Sequence, residues 1–270
     1  MIKLIATDID DTLLNSRGEL LPSTVDAVRA AVARGVKVVL CSGRPFAGLR
    51  VILQQLGINT PNQYAVTFNG AIIVNAEGMP MSSEILNYED YVDLTHFAEE
   101  QGVPFNVLDD QSNIYTANRD IDAITVVQAA ENSAGLFYRQ AEEMPADFQI
   151  AKGVFVGTPA QLDAVEPAVH ERYGTDHYVV RAANKFLEVM HAGVSKGNAL
   201  RRLTDMLDIK PGEVMVLGDE ANDIPMFRFA GVAVAMGNGS VKAKAAATYV
   251  TASNDTDGWG QAVRRFVLEV

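Results

Sequence analysis

The sequence predicts an α/β protein, a Rossmann-like doubly wound parallel sheet core into which a second, α+β domain is inserted. Three observations carry that expectation. Short apolar runs rich in β-branched residues alternate with helix-spaced segments at both ends of the chain, the pattern of β-α-β units. Between about Ser82 and His191 this alternation gives way to helices and strands in α+β order, and afterwards it returns. Three of the core runs end in polar residues able to act together. The expected boundaries are residues 1–81 and 192–270 for the core and 82–191 for the insert.

The elements follow in order. Ile2 to Ala6, interrupted only by Lys3, reads as a buried strand, and Asp8-Ile9-Asp10-Asp11-Thr12 follows directly. Strand alternation would point Asp8 and Asp10 the same way. Two like charges that close need a cation or a proton to compensate them. Pro22 to Arg34 has helical spacing, with Pro22 suited to a first turn and Gly35 to the position after the helix. Val36 to Cys41 is the second strand and ends in Ser42-Gly43-Arg44-Pro45. A helix over Phe46 to Leu56 leads to a strand over Tyr64 to Phe68, closed by Asn69-Gly70. Ala71 to Val74 with the Ala76-Glu77-Gly78 turn suggests a hairpin.

The insert reads as helix Tyr88–Gln101, strands Phe105–Leu108 and Asn113–Thr116, and helix Ile121–Glu131. Strand Gln149–Val156, helix Pro159–Tyr173 and strands His177–Ala182 and Phe186–Met190 complete it. The core pattern resumes with Ser195-Lys196-Gly197 opening a helix to about Leu207. Val214 to Leu217 is a further strand, ending in Gly218-Asp219-Glu220-Ala221-Asn222-Asp223. A short helix, the strand Val232–Ala235 with Met236-Gly237-Asn238 after it, and a helix over Asp257–Leu268 finish the chain.

Composition narrows the functional classes. A chain of 270 residues, 48% hydrophobic and 21% charged, can bury a sizeable globular core. Its net charge of −12 argues against unspecific binding to nucleic acid or to an anionic membrane. No apolar run approaches the roughly 18 residues of a membrane span. No charged and then apolar leader is visible. The single Cys41 excludes an internal disulfide, reads as a core thiol and suits a reducing, cytoplasmic setting. The four histidines show no metal-ligand spacing. No residue pattern sets an oligomeric state.

In an open α/β sheet, ligands bind beyond the carboxyl ends of the strands. Asp8, Asp10 and Thr12, then Ser42, Gly43 and Arg44, then Asp219, Asn222 and Asp223 all fall at such ends. Lys196 falls at a helix N-terminus, which itself favours an anion. Crowded carboxylates make a hard-oxygen site suited to Mg2+. Hydroxyls, a lysine and helix N-termini suit a phosphate. Metal, phosphate and a free carboxylate together describe phosphoryl transfer through an aspartyl-phosphate.

With these motifs in order the chain resembles the haloacid dehalogenase (HAD) superfamily of phosphatases, in its Cof-type subfamily (HAD-IIB). DIDDT matches the family's DxDx[TS] pattern, Ser42 in CSGRP its serine motif, Lys196 in SKGNAL its lysine, and GDEAND its GDxxND motif. The insert lies between the second and third motifs, where the subfamily carries a C2-type cap. The resemblance implies the HAD fold and a Mg2+-dependent phosphatase acting on small phosphate esters such as sugar phosphates. It implies Asp8 as nucleophile and metal ligand, and Asp10 as general acid and base whose backbone carbonyl also meets the metal. Asp219 would be the remaining carboxylate on the metal. Thr12, Ser42, Gly43 and Asn222 would hold the phosphoryl group, and Lys196 would neutralise charge on it and on Asp8. Asp223 would orient Lys196 or the residues around it. Arg44, by its place after the second strand, reads as closing the site or pairing with a carboxylate. Many relatives have glycine where Asp11 stands, so Asp11 is read as loop-forming.

Two alternatives stay open on the residues alone. One is a phosphotransferase or phosphomutase of the same superfamily. The other is a non-catalytic phosphate-binding or receiver-like signalling protein, which shares the acidic cluster, hydroxyl and lysine but is about half this length. Asn118, Arg119 and Lys185 of the insert are candidate contacts for a polar leaving group.

Overall fold

The computed structural model describes residues 1–132 and 134–269. They divide into two compact units. Met1–Ser42, Leu49–Ser82 and the chain from Ser195 onward form the first, and Gly43–Gly48 with Ser83–Val194 form the second. The chain begins β1 (Leu4–Thr7), α1 (Pro22–Ala33), β2 (Lys37–Cys41), α2 (Phe46–Leu56), β3 (Tyr64–Thr67), β4 (Ile72–Asn75) and β5 (Pro80–Ser83). It continues α3 (Tyr88–Gln101), β6 (Phe105–Leu108), β7 (Ile114–Thr116), α4 (Ala123–Glu131), β8 (Leu136–Tyr138), β9 (Lys152–Val156), α5 (Pro159–Tyr173), β10 (His177–Ala183) and β11 (Phe186–His191). It ends α6 (Lys196–Met206), β12 (Val214–Gly218), α7 (Ile224–Phe229), β13 (Val232–Ala235), α8 (Val241–Ala246), β14 (Tyr249–Val250) and α9 (Gly258–Val263).

The first unit is built on a sheet of order β14-β13-β12-β1-β2-β3-β4-β5. From β14 to β3 the neighbours are parallel, and β4 turns antiparallel against β3. The order reverses at β1, where β2 lies on one side and β12, far on in the chain, lies on the other. This is the switch point at which doubly wound sheets open a crevice. Successive residues of β1 serve opposite faces, as strand geometry requires. Leu4 and Ala6 pack with Leu200 and Leu203 of α6 and with Met226 and Phe227 of α7. Thr7 meets the buried Trp259 of α9, and α9 lies against α1. The sequence reading of an α/β class with a parallel core sheet is therefore correct.

Several short elements escape a sequence reading. They are β5, β8, β14 and α8, none longer than six residues. Helix α8 has a readable start, because the Ser240 hydroxyl caps it by accepting from the Ala243 N–H at 3.2 Å. The expected terminal helix over 257–268 is α9 followed by a π-helical turn, Arg264–Leu268.

The second unit holds a sheet of order β10-β11-β9-β6-β7-β8. Helices α3 and α5 cover one face, with Leu94, Phe97, Leu162 and Val165 packed on Phe105, Phe155 and Leu187. Helix α3 begins in a capping box, Asn87 with Asp90, and ends at Gly102 with a left-handed φ of 63°. Thr158 and Pro159 start α5 in the same economical way. The other face carries a few buried polar residues among apolar ones. Asn106 of β6 donates to Gln128 of α4 at 3.0 Å, and Lys152 of β9 is ion-paired to Glu188 of β11. Both members of that pair are almost wholly buried.

A buried ion pair is costly to break from one side. Lys152→Met is expected to lower the unfolding free energy by about 3–5 kcal/mol. Lys152→Met with Glu188→Leu should recover most of the loss. Urea unfolding of the two variants and the parent measures both.

Candidate active site

Strands β1 and β12 run parallel with Thr7 beside Leu217, so Asp8 and Asp219 leave the sheet together. The Asp8 N–H donates to the Leu217 carbonyl at 3.0 Å and extends the ladder by one bond. Beyond it the chain coils: the Ile9 carbonyl accepts from Leu13 N–H at 3.0 Å and Leu14 N–H at 2.9 Å. Because β1 stops at Thr7, strand alternation does not govern Asp8 and Asp10. Asp8 is buried and Asp10 exposed. Asp11 takes a left-handed φ of 55°, a conformation aspartate adopts at modest cost.

Lys196 is the first residue of α6, fixed there by Ser195, whose hydroxyl accepts from Asn198 N–H at 3.0 Å. Its side chain is buried, and Nζ donates to Asp8 Oδ1 at 2.5 Å and to Asp223 Oδ1 at 2.7 Å. The approach needs Gly197, where a Cβ would stand 2.4 Å from the Pro225 carbonyl oxygen. The other oxygen of Asp223 accepts from the N–H groups of Asp219 (2.9 Å) and Glu220 (3.1 Å). It reaches them because position 218 is glycine; a Cβ there would lie 2.4 Å from Asp223 Cγ. Thr12 Oγ1 donates to Asp219 Oδ1 at 2.8 Å.

Asn222 is half-buried and donates through Nδ2 to Asn69 Oδ1 at 3.2 Å. Asn69, with a left-handed φ of 55°, is itself tied by its N–H to the Ser42 carbonyl at 2.9 Å. Ser42, buried at the end of β2, thus joins the group through its backbone. Gly43 and Arg44 come next and belong to the second unit. The structure therefore brings together Asp8, Thr12, Lys196, Asp219 and Asp223, with Asn222, Asn69 and Ser42 linked beside them.

One carboxylate oxygen from each of Asp8, Asp219 and Asp223 lies within 4.8 Å of the others. The third member of this carboxylate cluster is Asp223, in addition to the backbone carbonyl that the sequence reading expects from Asp10. Burial pushes the Asp8 carboxyl up to about 8; Lys196 opposes that shift, and Asp223 and Asp219 add to it. Burial likewise pushes Asp219 up to about 7, against the hydrogen bond from Thr12. For Lys196 burial acts downward, but Asp223 and Asp8 together outweigh it and the ammonium is held charged. Crowded carboxylates that resist ionisation, all hard oxygen donors, fit a divalent cation. Burial pushes the Cys41 thiol up to about 12, as suits a core residue.

Four residues around this site lie outside the sequence reading: Thr7, Asn238, Asn254 and Trp259. Trp259 Nε1 donates to Thr7 Oγ1 at 3.0 Å, and Asn238 Nδ2 donates to the Asp11 carbonyl at 2.7 Å. Asn238 had a usable signal, since it closes the turn after a core strand. Each histidine, by contrast, faces an acid of its own unit: His96 Glu142, His170 Glu166, His177 Asp90 and His191 Glu84. In the second unit Asn118 accepts from Phe105 N–H at 2.9 Å, and Arg119 donates to the Tyr138 hydroxyl at 3.3 Å. Lys185 lines a groove of about 280 Å³ with Phe186 and Ile124.

A sheet switch point bearing carboxylates around a buried lysine defines a charged centre of the kind open α/β sheets build beyond their strand ends. The chain belongs to the haloacid dehalogenase-like hydrolases, whose family model matches residues 5–263. It is 38% identical over 269 residues to the "Putative phosphatase YxeH" of Bacillus subtilis, covering 99% of each chain. It is 28% identical to the 5-amino-6-(5-phospho-D-ribitylamino)uracil phosphatase YitU of the same organism, covering 98% of this chain and 96% of that one. A haloacid dehalogenase-like hydrolase structure from Bacteroides thetaiotaomicron superposes with a TM-score of 0.87 at 30% identity, over 98% of this chain and 99% of that one. The protein is an enzyme, a hydrolase of the phosphoric monoester class.

The raised carboxyls predict a pH effect. In the folded state Asp8 and Asp219 keep protons that the unfolded chain releases near its ordinary pKa of 3.8. The stability this confers is full below that value and is lost as pH rises towards 7 and 8. In the presence of a chelator, the thermal midpoint of the wild type should fall relative to that of Asp8→Asn between pH 5 and pH 8.5. Calorimetry across that range measures the difference.

Proposed function

We propose that this enzyme is a Mg2+-dependent phosphatase that hydrolyses small phosphate monoesters, sugar phosphates among them, through an aspartyl-phosphate on Asp8. The observation that carries the reading is the Asp8 carboxylate held by Lys196 and crowded by Asp219 and Asp223. A nucleophilic carboxylate needs its repulsion from a phosphate cancelled, and it needs to be aimed. Lys196 does both for Asp8. Asp8, Asp219 and the backbone carbonyl of Asp10 would hold the cation, which supplies charge neutralisation when bound. Asp223 has one oxygen on Lys196 and the other on two backbone N–H groups, so its task is positioning.

The steps balance on the chain's own groups. An Asp8 oxygen forms a bond to phosphorus as the ester oxygen departs, and Asp10 delivers its proton to that oxygen. Asp10, now a carboxylate, takes a proton from a water that attacks the same phosphorus. The bond to Asp8 breaks, phosphate leaves and both carboxyls return to their starting state. Thr12, Ser42, the Gly43 N–H and Asn222 are assigned to the phosphoryl oxygens, and Arg44 to closing the site. We read the first unit as the HAD core, 1–81 and 192–270, and the second as the C2-type cap, 82–191. The name of the YitU relative, a phosphatase for a phosphorylated ribityl chain, supports a polyol phosphate as substrate class. A cytoplasmic setting suits the lone buried Cys41.

A panel of phosphate monoesters tests this, assayed with Mg2+ and with EDTA on the wild type, Asp8→Asn and Asp10→Asn. Phosphate release by the wild type should vanish with EDTA and in Asp8→Asn. Asp10→Asn should keep Mg2+ binding and slow turnover by at least about a hundredfold. No release by the wild type anywhere on the panel, or full activity in Asp8→Asn, refutes the reading. Transfer to a sugar acceptor without phosphate release would make the enzyme a phosphotransferase.

A further inference from the structure

We propose that Trp259, Thr7, Asn238 and Asn254 are positioning residues, through which the C-terminal segment grips the main chain on both sides of the reacting carboxylates. This rests on the reading of Asp8 and Asp10 as the reacting groups.

The grip is visible at four carbonyls. Trp259 Nε1 donates to Thr7 Oγ1 at 3.0 Å, and that hydroxyl spends its own proton on the Asp8 carbonyl at 2.7 Å. Asn238 Nδ2 donates to the Asp11 carbonyl at 2.7 Å. Asn254 Nδ2 donates to the Leu14 carbonyl at 3.0 Å and lies 3.5 Å from Asp11 Oδ1. Ser240 N–H donates to the Asp219 carbonyl at 2.8 Å, on the second strand of the site. The two asparagines are coupled, because Asn254 N–H donates to Asn238 Oδ1 at 2.9 Å.

The segment that does this is folded closely on itself. A Cβ at Gly258 would meet the Ala252 carbonyl oxygen at 2.0 Å, so the chain from Ala252 to Gly258 is folded tightly on itself. Thr251 Oγ1 closes it by donating to the Gly258 carbonyl at 2.7 Å. Trp259 and Thr7 are buried, so their hydrogen bond is shielded from competing water.

The loop needs such support. Asp11 stands in the left-handed region, which aspartate enters at modest cost but which few other residues adopt. A single left-handed residue reverses the chain direction, so the path of the loop depends on what holds its carbonyls. Asp10 is exposed and lies between two fixed points, the Asp8 carbonyl and the Asp11 carbonyl. The grip therefore fixes where the Asp10 side chain starts, in a reaction where a displacement of about 1 Å can cost a hundredfold in rate.

The test combines steady-state kinetics with hydrogen exchange on Trp259→Phe, Thr7→Val, Thr7→Ser, Asn238→Ala and the Trp259→Phe/Thr7→Val double variant. A phosphate monoester that the wild type hydrolyses serves as substrate. Trp259→Phe, Thr7→Val and Asn238→Ala should each lower kcat by about tenfold and leave KM within about twofold. Thr7→Ser, which keeps the hydroxyl, should restore kcat. The double variant should match Thr7→Val alone, because Trp259 acts through that hydroxyl. Amide exchange over residues 8–14 should accelerate in the impaired variants beyond any change in β2 of the same molecule.

Unchanged kcat, additive losses in the double variant, or loop exchange that rises only in step with β2 would each overturn the proposal. Asn238 is exposed, so its alanine variant keeps the question answerable if Trp259→Phe fails to fold. If the wild type hydrolyses no phosphate ester, the assigned reaction fails, and the exchange measurement still decides the grip.

Discussion

The structure of the first unit depends on one buried ammonium. Lys196 Nζ is shared between Asp8 and Asp223, 188 and 27 residues away in the chain. Neither carboxylate would be tolerable at that depth without a cation beside it. The consequences spread outward. Gly197 and Gly218 let α6 and β12 approach the Asp223 loop closely enough for the contact to form. Asp223 then spends its second oxygen on the N–H groups of Asp219 and Glu220, and so fixes the backbone that carries the next carboxylate.

The sheet supplies what a local motif cannot. Register between β1 and β12 puts Asp8 and Asp219 at one opening, and the reversal of strand order at β1 creates that opening. Burial then gives the carboxyls their character. The same desolvation that raises Asp8 and Asp219 makes the cluster receptive to a divalent cation, since either a proton or a metal relieves the repulsion. The second unit deals with buried charge differently, pairing Lys152 and Glu188 within one sheet.

How far the site was legible follows from where its information sits. Asp8 and Asp219 directly follow a strand, Lys196 opens a helix and Thr12 shares the short motif of Asp8, and each of these positions is a local property of the chain. Asn69 was visible only as part of an Asn-Gly turn. Its bonds to Asn222 and to the Ser42 carbonyl depend on strand order and leave no trace in spacing. Trp259 would pass for an ordinary core aromatic until its N–H is found on Thr7, 252 residues earlier.

The sequence by itself determined the class of fold, with its parallel core sheet, and the family. These rest on apolar periodicity and short motifs, which each stretch carries independently of the others. Tertiary structure decided that Asp8 is buried while Asp10 is exposed, because the strand ends at Thr7 and the chain coils through the carboxylates instead of continuing the strand. It also decided that Asp223 joins Asp8 and Asp219 in the cluster, and that the C-terminal segment holds the loop of the first motif. The physical reason is common to both: the partner that fixes each of these groups comes from another part of the chain, and only packing brings it within hydrogen-bonding distance.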